Sequence, residues 1–232
     1  MKPRLLVTAG PTREPIDPVR FLSNRSSGRM GYALAEAARD AGWEVTLISG
    51  PVHLTPPSGV RLVRIETAQQ MFEAVRHAIG TQDVAIFAAA VADYRPVSAA
   101  TEKIKKGSAE NLTLELERTE DILGSVRSAF GFHGYLVGFA AETQNLIQHA
   151  QEKRTKKGCD LIIANDVSRP GVGFDSLENE VILCLPNDKT LGLPRDSKQA
   201  LAGIIIRFIG DHVAIHPEPT PSNKPPTPDT QP

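Results

Sequence analysis

The stretch Arg20-Phe-Leu-Ser-Asn-Arg-Ser-Ser-Gly-Arg-Met-Gly31 packs arginines, serines and two glycines just ahead of residues with helical spacing, 30–41. Small residues let a ligand approach the backbone. The free N–H groups of a helix start, aligned with its dipole, favour an anion there. Arginine adds a fork for phosphate or carboxylate. A capping role for Ser26 or Ser27 accounts for one serine, but not for Asn24, the glycines or the arginine density, so the stretch reads as an anion site. Upstream, Thr8-Ala-Gly-Pro-Thr-Arg-Glu-Pro-Ile-Asp17 follows an apolar run, where open α/β proteins bind phosphates. It holds Gly10 alone, so it is neither GxGxxG nor a P-loop, and a plain turn is an equal reading.

Further along, Ala88-Ala-Ala-Val-Ala-Asp-Tyr-Arg-Pro96 carries small side chains and Asp93. Asp93 could touch a metal or a hydroxyl; as an isolated segment it reads better as a turn beside tight packing. Lys103 heads a lysine cluster, which is either a solvated face or, folded back over the sheet, a cation for charge developing on phosphate. Phe139, in Gly138-Phe-Ala-Ala-Glu-Thr143, is a core residue or a contact for a base. Lys153 and Lys157 are four apart and share a helix face, whether for a ligand or for solvent. The long loop 164–180 is functional or mobile. The histidines lack metal-ligand spacing, and no GxSxG elbow or cysteine–histidine signature is present. Phosphate and carboxylate handling is the recurring theme.

These residues must be held by a scaffold, and the apolar pattern supplies one. Apolar runs at 4–9, 44–49, 60–65, 84–88, 135–139 and 161–164 read as strands. Helical spacing at 30–41, 68–79, 143–157 and from Ser197 to about His212 lies between and after them. Strand and helix alternating at this spacing predict parallel strands joined by crossovers. The expected fold is α/β: a Rossmann-like, doubly wound, mostly parallel sheet of about six strands. Residues 103–117 and 181–193 read as two inserted β-hairpins of the kind that cover an edge or pair with another subunit. Residues 1–215 form the folded domain. Residues 216–232 hold seven of the 18 prolines and no aliphatic or aromatic side chain, the composition of a disordered tail.

Composition narrows the classes. The 26 basic and 27 acidic side chains leave a net charge of −1, against a nucleic-acid partner. Aromatic residues at 5% argue against a stacking platform for single strands. Cys159 and Cys184 alone build neither a disulfide scaffold nor a zinc site. No apolar run reaches membrane-span length, and the N-terminus lacks a signal-peptide pattern, which predicts a soluble cytoplasmic enzyme.

Together the segments resemble phosphopantothenate–cysteine ligase, the synthetase of coenzyme A biosynthesis. Residues 8–31 are similar to its opening signature. Ala88-Ala-Ala-Val-Ala-Asp-Tyr-Arg-Pro96, the cluster at Lys103, Val137-Gly-Phe-Ala-Ala-Glu-Thr143, Ala164-Asn-Asp-Val167 and Gly173-Phe-Asp-Ser-Leu-Glu-Asn-Glu180 follow in the family's order, covering residues 2–213. The resemblance implies a two-step reaction in which phosphopantothenate and CTP give an acyl-cytidylate and pyrophosphate, and cysteine then displaces CMP. It implies Mg²⁺ with the nucleotide, at residues the sequence does not identify, and a homodimer to which the lysine-containing hairpin contributes. In the family the synthetase commonly follows a flavin-dependent decarboxylase domain. None precedes Met1 here, so a stand-alone synthetase without flavin is expected, with a separate decarboxylase as a candidate partner.

By the same resemblance Asn24 and Lys103 are catalytic. Arg20 and Asn24 bind substrate, Asn24 holding the acyl-nucleotide carbonyl and the pantoate part. Asp93, Lys103, Glu120, Asp121, Ile122, Leu123, Phe139, Lys153 and Lys157 bind the nucleotide. Many family members carry proline where this chain has Glu120, a departure that bears on nucleotide preference. The arginines 20, 25 and 29 and the lysines 103, 153 and 157 are expected to converge on phosphate. The competing class on this architecture is a nicotinamide-dependent oxidoreductase, against which the missing GxGxxG speaks.

Overall fold

Each apolar run becomes a strand of one sheet in the computed structural model, which describes residues 2–106, 111–142, 144–166 and 176–215. The expected tail 216–232 lies outside the described residues, as do 107–110, Thr143 and the part of the long loop at 167–175. In chain order the elements are β1 (Arg4–Ala9), β2 (Arg13–Pro15), β3 (Phe21–Ser23), α1 (Arg29–Asp40), β4 (Glu44–Ser49), β5 (Arg61–Arg64), α2 (Ala68–Ala78), β6 (Val84–Phe87), β7 (Tyr94–Pro96), β8 (Leu116–Arg118), α3 (Ile122–Ser128), β9 (Tyr135–Glu142), α4 (Leu146–Lys157), β10 (Leu161–Asp166), β11 (Glu178–Cys184), β12 (Thr190–Ser197) and α5 (Lys198–Ile215).

The eight-stranded sheet has the order β12-β11-β10-β9-β6-β1-β4-β5. Its six strands from β10 to β5 are parallel, as the spacing predicts. The expected hairpin near residues 181–193 is β11–β12, which extends the sheet by antiparallel pairing on β10. The chain runs outward from β1 through β4 to β5, then returns to place β6 on the other side of β1. That reversal is a topological switch point, where open sheets leave a crevice outside the strand carboxyl ends.

Side-chain alternation builds two cores. Leu5, Val7 and Ala9 of β1 and Val84 and Ile86 of β6 pack with α1 and α5 on one face. Leu6 of β1 and Ala85 and Phe87 of β6 pack with α2, α3 and α4 on the other. Both faces being covered explains why these strands read as near-continuous apolar runs. Fully burying each leucine or isoleucine contributes about 1.5–3 kcal/mol, and Leu5, Leu6, Ile86, Leu136 and Ile162 are all completely buried.

One expected hairpin is built differently. Residues 103–106 and 111–115 form no strand, and β8 pairs instead with β7: Tyr94 opposite Arg118, Pro96 opposite Leu116. The reason lies in the partners of the Ile104 backbone. The Ile104 backbone N–H donates to Asp17 Oδ2 at 3.1 Å, and its carbonyl accepts from Arg20 Nη2 at 2.9 Å. Those backbone groups therefore have partners without a ladder. A second small hairpin, β2–β3, falls inside the stretch read as loop. Around β3, β7 and β8 the side chains of Val19, Phe21, Tyr94, Val97 and Leu116 remain exposed.

Candidate functional site

The switch point opens into a cleft of ≈ 850 Å³. Thr8, Phe87, Phe139, Ala141 and Asn165, at the carboxyl ends of β1, β6, β9 and β10, form its floor. The loops after β1 and β6 are knitted together across it. Ala90 N donates to Gly10 O at 2.9 Å, and Ala92 N to Thr12 Oγ1 at 3.0 Å.

One wall is the start of α1, where Ser26, Ser27, Gly28, Arg29, Met30 and Gly31 line the cleft. Gly28 takes the N-cap position at φ 74°, a left-handed conformation that other residues adopt at a cost. No side chain caps this helix. Its first turn thus presents N–H groups and the positive dipole end to the cleft. Gly31 allows close approach: a Cβ there would stand 2.5 Å from Ala9 Cβ. A Cβ on Gly28 would lie 3.3 Å from Gly10 Cα. Gly10, Gly28 and Gly31 therefore reproduce in space the tight turn, close approach and helix–strand packing of a dinucleotide fingerprint. The inserted hairpin β2–β3 separates the first glycine from the other two, so the contiguous motif is absent.

Asn24 sits at the edge of this wall. Its Nδ2 donates to Val91 O at 2.9 Å and Ala90 O at 3.3 Å. Both amide hydrogens have partners, and the Oδ1 oxygen is the group left to accept from a ligand.

The opposite wall comes from the segment before α3 and from α4. Asp93, Glu120, Asp121, Ile122, Leu123, Phe139, Lys153 and Lys157 all line the cleft, so the structure brings these nucleotide-site candidates together. Asp121 caps α3 by accepting from Gly124 N at 3.0 Å, and its other oxygen pairs with Lys157 Nζ. Burial works against the Asp121 charge, but Lys157 and the Gly124 N–H outweigh it and hold the carboxyl below its usual range. Lys153 donates to Phe139 O at 2.7 Å, and burial lowers its pKa despite the nearby carboxylates of Glu142 and Asp93. Both oxygens of Glu120 accept from Arg95 Nη1 at 3.1 Å, so this carboxylate is tied to β7.

Arg20 and Lys103 stand apart from the cleft lining. The Arg20 guanidinium grips Asp17 through Nε at 2.9 Å and through Nη2. Asp17 also accepts from the N–H groups of Val19, Arg20 and Ile104, at 2.9, 2.8 and 3.1 Å. The Arg20 fork, helped by these N–H groups and opposed by burial, holds the Asp17 carboxyl far below its ordinary range. Lys103 is exposed, one residue before the clamped Ile104. Of the expected convergent cations, Arg29, Lys153 and Lys157 reach the cleft, and Arg20, Arg25 and Lys103 do not.

The cleft is nonetheless cationic. Arg29, Arg118, Lys153, Lys156, Lys157 and Lys198 line it against Asp93, Glu120 and Asp121, of which the last two are paired. A chain of net charge −1 thus concentrates positive charge where an anion would sit. Among the described residues no three His, Cys, Asp or Glu side chains group to hold a metal. Burial pushes the Cys159 thiol up to about 12, so it offers no nucleophile. Sequence reasoning missed Asn165, Asn179 and Lys198 as lining residues. Each reads as an ordinary polar residue in or beside a strand end, and only the antiparallel edge brings them together. No helix of the described residues is long and apolar enough to cross a membrane.

A family model described as "DNA/pantothenate metabolism flavoprotein C-terminal domain" matches residues 1–212. Over 206 residues the chain is 45% identical to the "Coenzyme A biosynthesis bifunctional protein CoaBC" of Vibrio vulnificus (strain YJ016), covering 88% of this chain and 51% of that protein. It spans about half the length of the curated relatives it matches. The crystal structure of the C-terminal domain of a CoaBC protein superposes with a TM-score of 0.78 at 41% identity, covering 92% of this chain and 96% of that one. A Cab2 mutant in complex with phosphopantothenate-cysteine shares the fold, with a TM-score of 0.74 at 20% identity over 92% of this chain and 87% of that one.

Proposed function

The chain belongs to the family of the DNA/pantothenate metabolism flavoprotein C-terminal domain, and from that premise we propose that it ligates phosphopantothenate to L-cysteine at the switch-point cleft, using CTP. The observation that carries this reading is the cleft itself: an uncapped helix start faces a lysine-bearing wall, with no nucleophilic or metal-binding cluster among the described residues. Such a site positions phosphates and stabilises charge, which is what activation of a carboxylate by a nucleoside triphosphate requires.

In the first step the substrate carboxylate attacks the α-phosphorus, forming an acyl–phosphate bond as pyrophosphate leaves. In the second the cysteine amine attacks the acyl carbonyl, CMP leaves with the bridging oxygen, and the amide forms. The N–H groups at the start of α1 hold phosphate oxygens. Lys153 and Lys157 approach the nucleotide from the other wall, and Phe139 offers its ring to the base. The Glu120 side chain is tied to Arg95, so this segment meets the nucleotide through its main chain, and the departure from proline leaves nucleotide use intact. Asn24 offers Oδ1 to a hydroxyl or amide N–H of the pantoate part. To hold the acyl-nucleotide carbonyl it must exchange the longer of its two bonds, that to Ala90. Lys103, positioned through Ile104 by Asp17 and Arg20, supplies a cation from the rim.

The donor set fits a Mg²⁺ that arrives on the triphosphate, not a resident metal. Asp93 lines the cleft and makes no side-chain hydrogen bond or ion pair among the described residues; it is the carboxylate that would hold the ion. When bound, Mg²⁺ neutralises phosphate oxygens. The exposed apolar side chains around β3, β7 and β8 support a homodimer through this face.

The test is pyrophosphate release with phosphopantothenate, cysteine and either CTP or ATP, with the amide product followed by mass spectrometry. Release that requires the acid and yields the amide is expected. The spatial glycine fingerprint also admits a nicotinamide dinucleotide. Tight NADPH binding by calorimetry, with no CTP binding and no pyrophosphate, overturns the ligase reading in favour of the oxidoreductase.

A further inference from the structure

Asp93, Glu120 and Asp121 are carboxylates in the lining of a cleft built for an anion, and each is compensated differently. Asp93 is the one assigned above to the ion that arrives on the triphosphate. Asp121 is paired with Lys157, itself a lining side chain. The counter-ion of Glu120 comes from outside the lining. Arg95 of β7 donates through Nη1 to both Glu120 oxygens at 3.1 Å, and through Nε to Glu117 Oε1 at 2.8 Å. Arg95 and Glu117 stand opposite each other across β7 and β8, and neither lines the cleft. The guanidinium therefore reaches Glu120 from behind the wall. The backbone on either side keeps Glu120 in place. Thr119 N donates to Asp93 O at 3.0 Å, and Thr119 Oγ1 to Ala92 O at 2.6 Å. On the other side Asp121 caps α3, and Glu120 O accepts from Ile122 N at 3.0 Å. Without Arg95 the carboxylate has no backbone route away from the cleft.

Resting on the ligase reading, we propose that Arg95 is a positioning residue for nucleotide binding, acting through Glu120. From behind the wall it holds the carboxylate back and neutralises it, so that Glu120 neither turns into the cleft nor repels the triphosphate. Like charges brought together at a binding surface oppose binding, and the cost grows as water is excluded from between them. The Arg95 and Glu120 side chains are 28% and 26% exposed, so salt and water screen this field only in part. Glu117 has a different part. Its side chain is 47% exposed and lies on β8 outside the lining, where it anchors the Arg95 Nε and leaves Nη1 to face Glu120.

The experiment measures CTP binding by calorimetry in the presence of Mg²⁺. It compares the parent protein with Arg95→Met and with two double variants, Arg95→Met/Glu120→Gln and Arg95→Met/Glu117→Gln. At low salt Arg95→Met is expected to raise the Kd about tenfold, through the repulsion of an uncompensated charge. The defect fades towards ~1 M salt, where the Debye length falls to ~3 Å. Adding Glu120→Gln regains most of the lost affinity, and adding Glu117→Gln does not. Ion pairs this exposed contribute little to folding, so Arg95→Met should melt close to the parent. Where it melts early, Arg95→Gln, which drops the charge and keeps a donor, takes its place. An unchanged Kd, a defect indifferent to salt, or equal recovery from either glutamine overturns the role of Arg95 alone. A parent protein that neither binds CTP nor releases pyrophosphate overturns the ligase reading and this role with it.

Discussion

The two long walls of the cleft handle charge by different means. The α1 wall is made of backbone: an uncapped first turn, Gly28 in a left-handed conformation and Gly31 pressed against Ala9. The facing wall is made of side chains: Lys153 held to Phe139 O, and Lys157 paired with Asp121. A backbone wall offers N–H groups that do not titrate and so tolerates changes of pH, but any added Cβ disturbs it. A side-chain wall tolerates small changes of shape, but it responds to every proton and every ion in solution. Lys103 belongs to neither: it is exposed and outside the cleft lining, one residue before the Ile104 backbone that Asp17 and Arg20 clamp.

The largest expected effect breaks the rim alone. Lys103→Ala removes a charge from the reacting phosphates, lowering kcat by about 100- to 1,000-fold with melting temperature unchanged; full activity removes Lys103 from the chemistry. Next, Gly31→Ala breaks the backbone wall by overpacking, at about 1–3 kcal/mol in denaturant melts, and raises the KM for nucleotide. Wild-type stability in that variant contradicts the close packing of α1 on β1. Lys157→Ala breaks the side-chain wall instead. It should raise nucleotide KM about tenfold, the loss of one charge-assisted bond, leave kcat nearly unaltered and weaken the salt dependence of binding. An unchanged salt dependence would place Lys157 outside the phosphate field.

The smallest effect sharpens the contrast by pH. Burial lowers the Lys153 pKa, so its charge, present in acid, is lost as pH rises through a value below the ~10.4 of a free lysine. Nucleotide affinity therefore declines on the alkaline side earlier than a solvated lysine dictates. Lys153→Arg keeps its charge and should move that limb to higher pH. The same limb in both proteins leaves Lys153 without a part in the titration.

The two walls also differed in legibility. The strands could be read because burial on both faces leaves near-continuous apolar runs, and α1 because its buried face leaves a helical period; the composition of residues 20–31 marked a stretch whose end lines the cleft. The spatial fingerprint could not be read, because β2–β3 separates Gly10 from Gly28. Lysines 153 and 157 showed a shared face but not what they face. The hairpin expected at residues 103–117 was mispaired for a physical reason: Asp17 and Arg20 occupy the Ile104 backbone, an interaction 87 and 84 residues away in sequence. α3 is a helix of seven residues, too short for periodicity to reveal. Asn165, Asn179 and Lys198 share no local pattern. They meet because β11 turns back antiparallel beside β10 and the chain re-enters the cleft at the start of α5.

The central claim, that this cleft activates a carboxylate on the α-phosphorus of a nucleotide, is tested most directly by following an oxygen atom. Phosphopantothenate labelled with ¹⁸O in its carboxylate is turned over with cysteine and CTP, and the products are analysed by mass spectrometry. The account predicts one ¹⁸O in CMP for each amide formed and none in pyrophosphate. Label in inorganic phosphate, or unlabelled CMP beside formed amide, contradicts it.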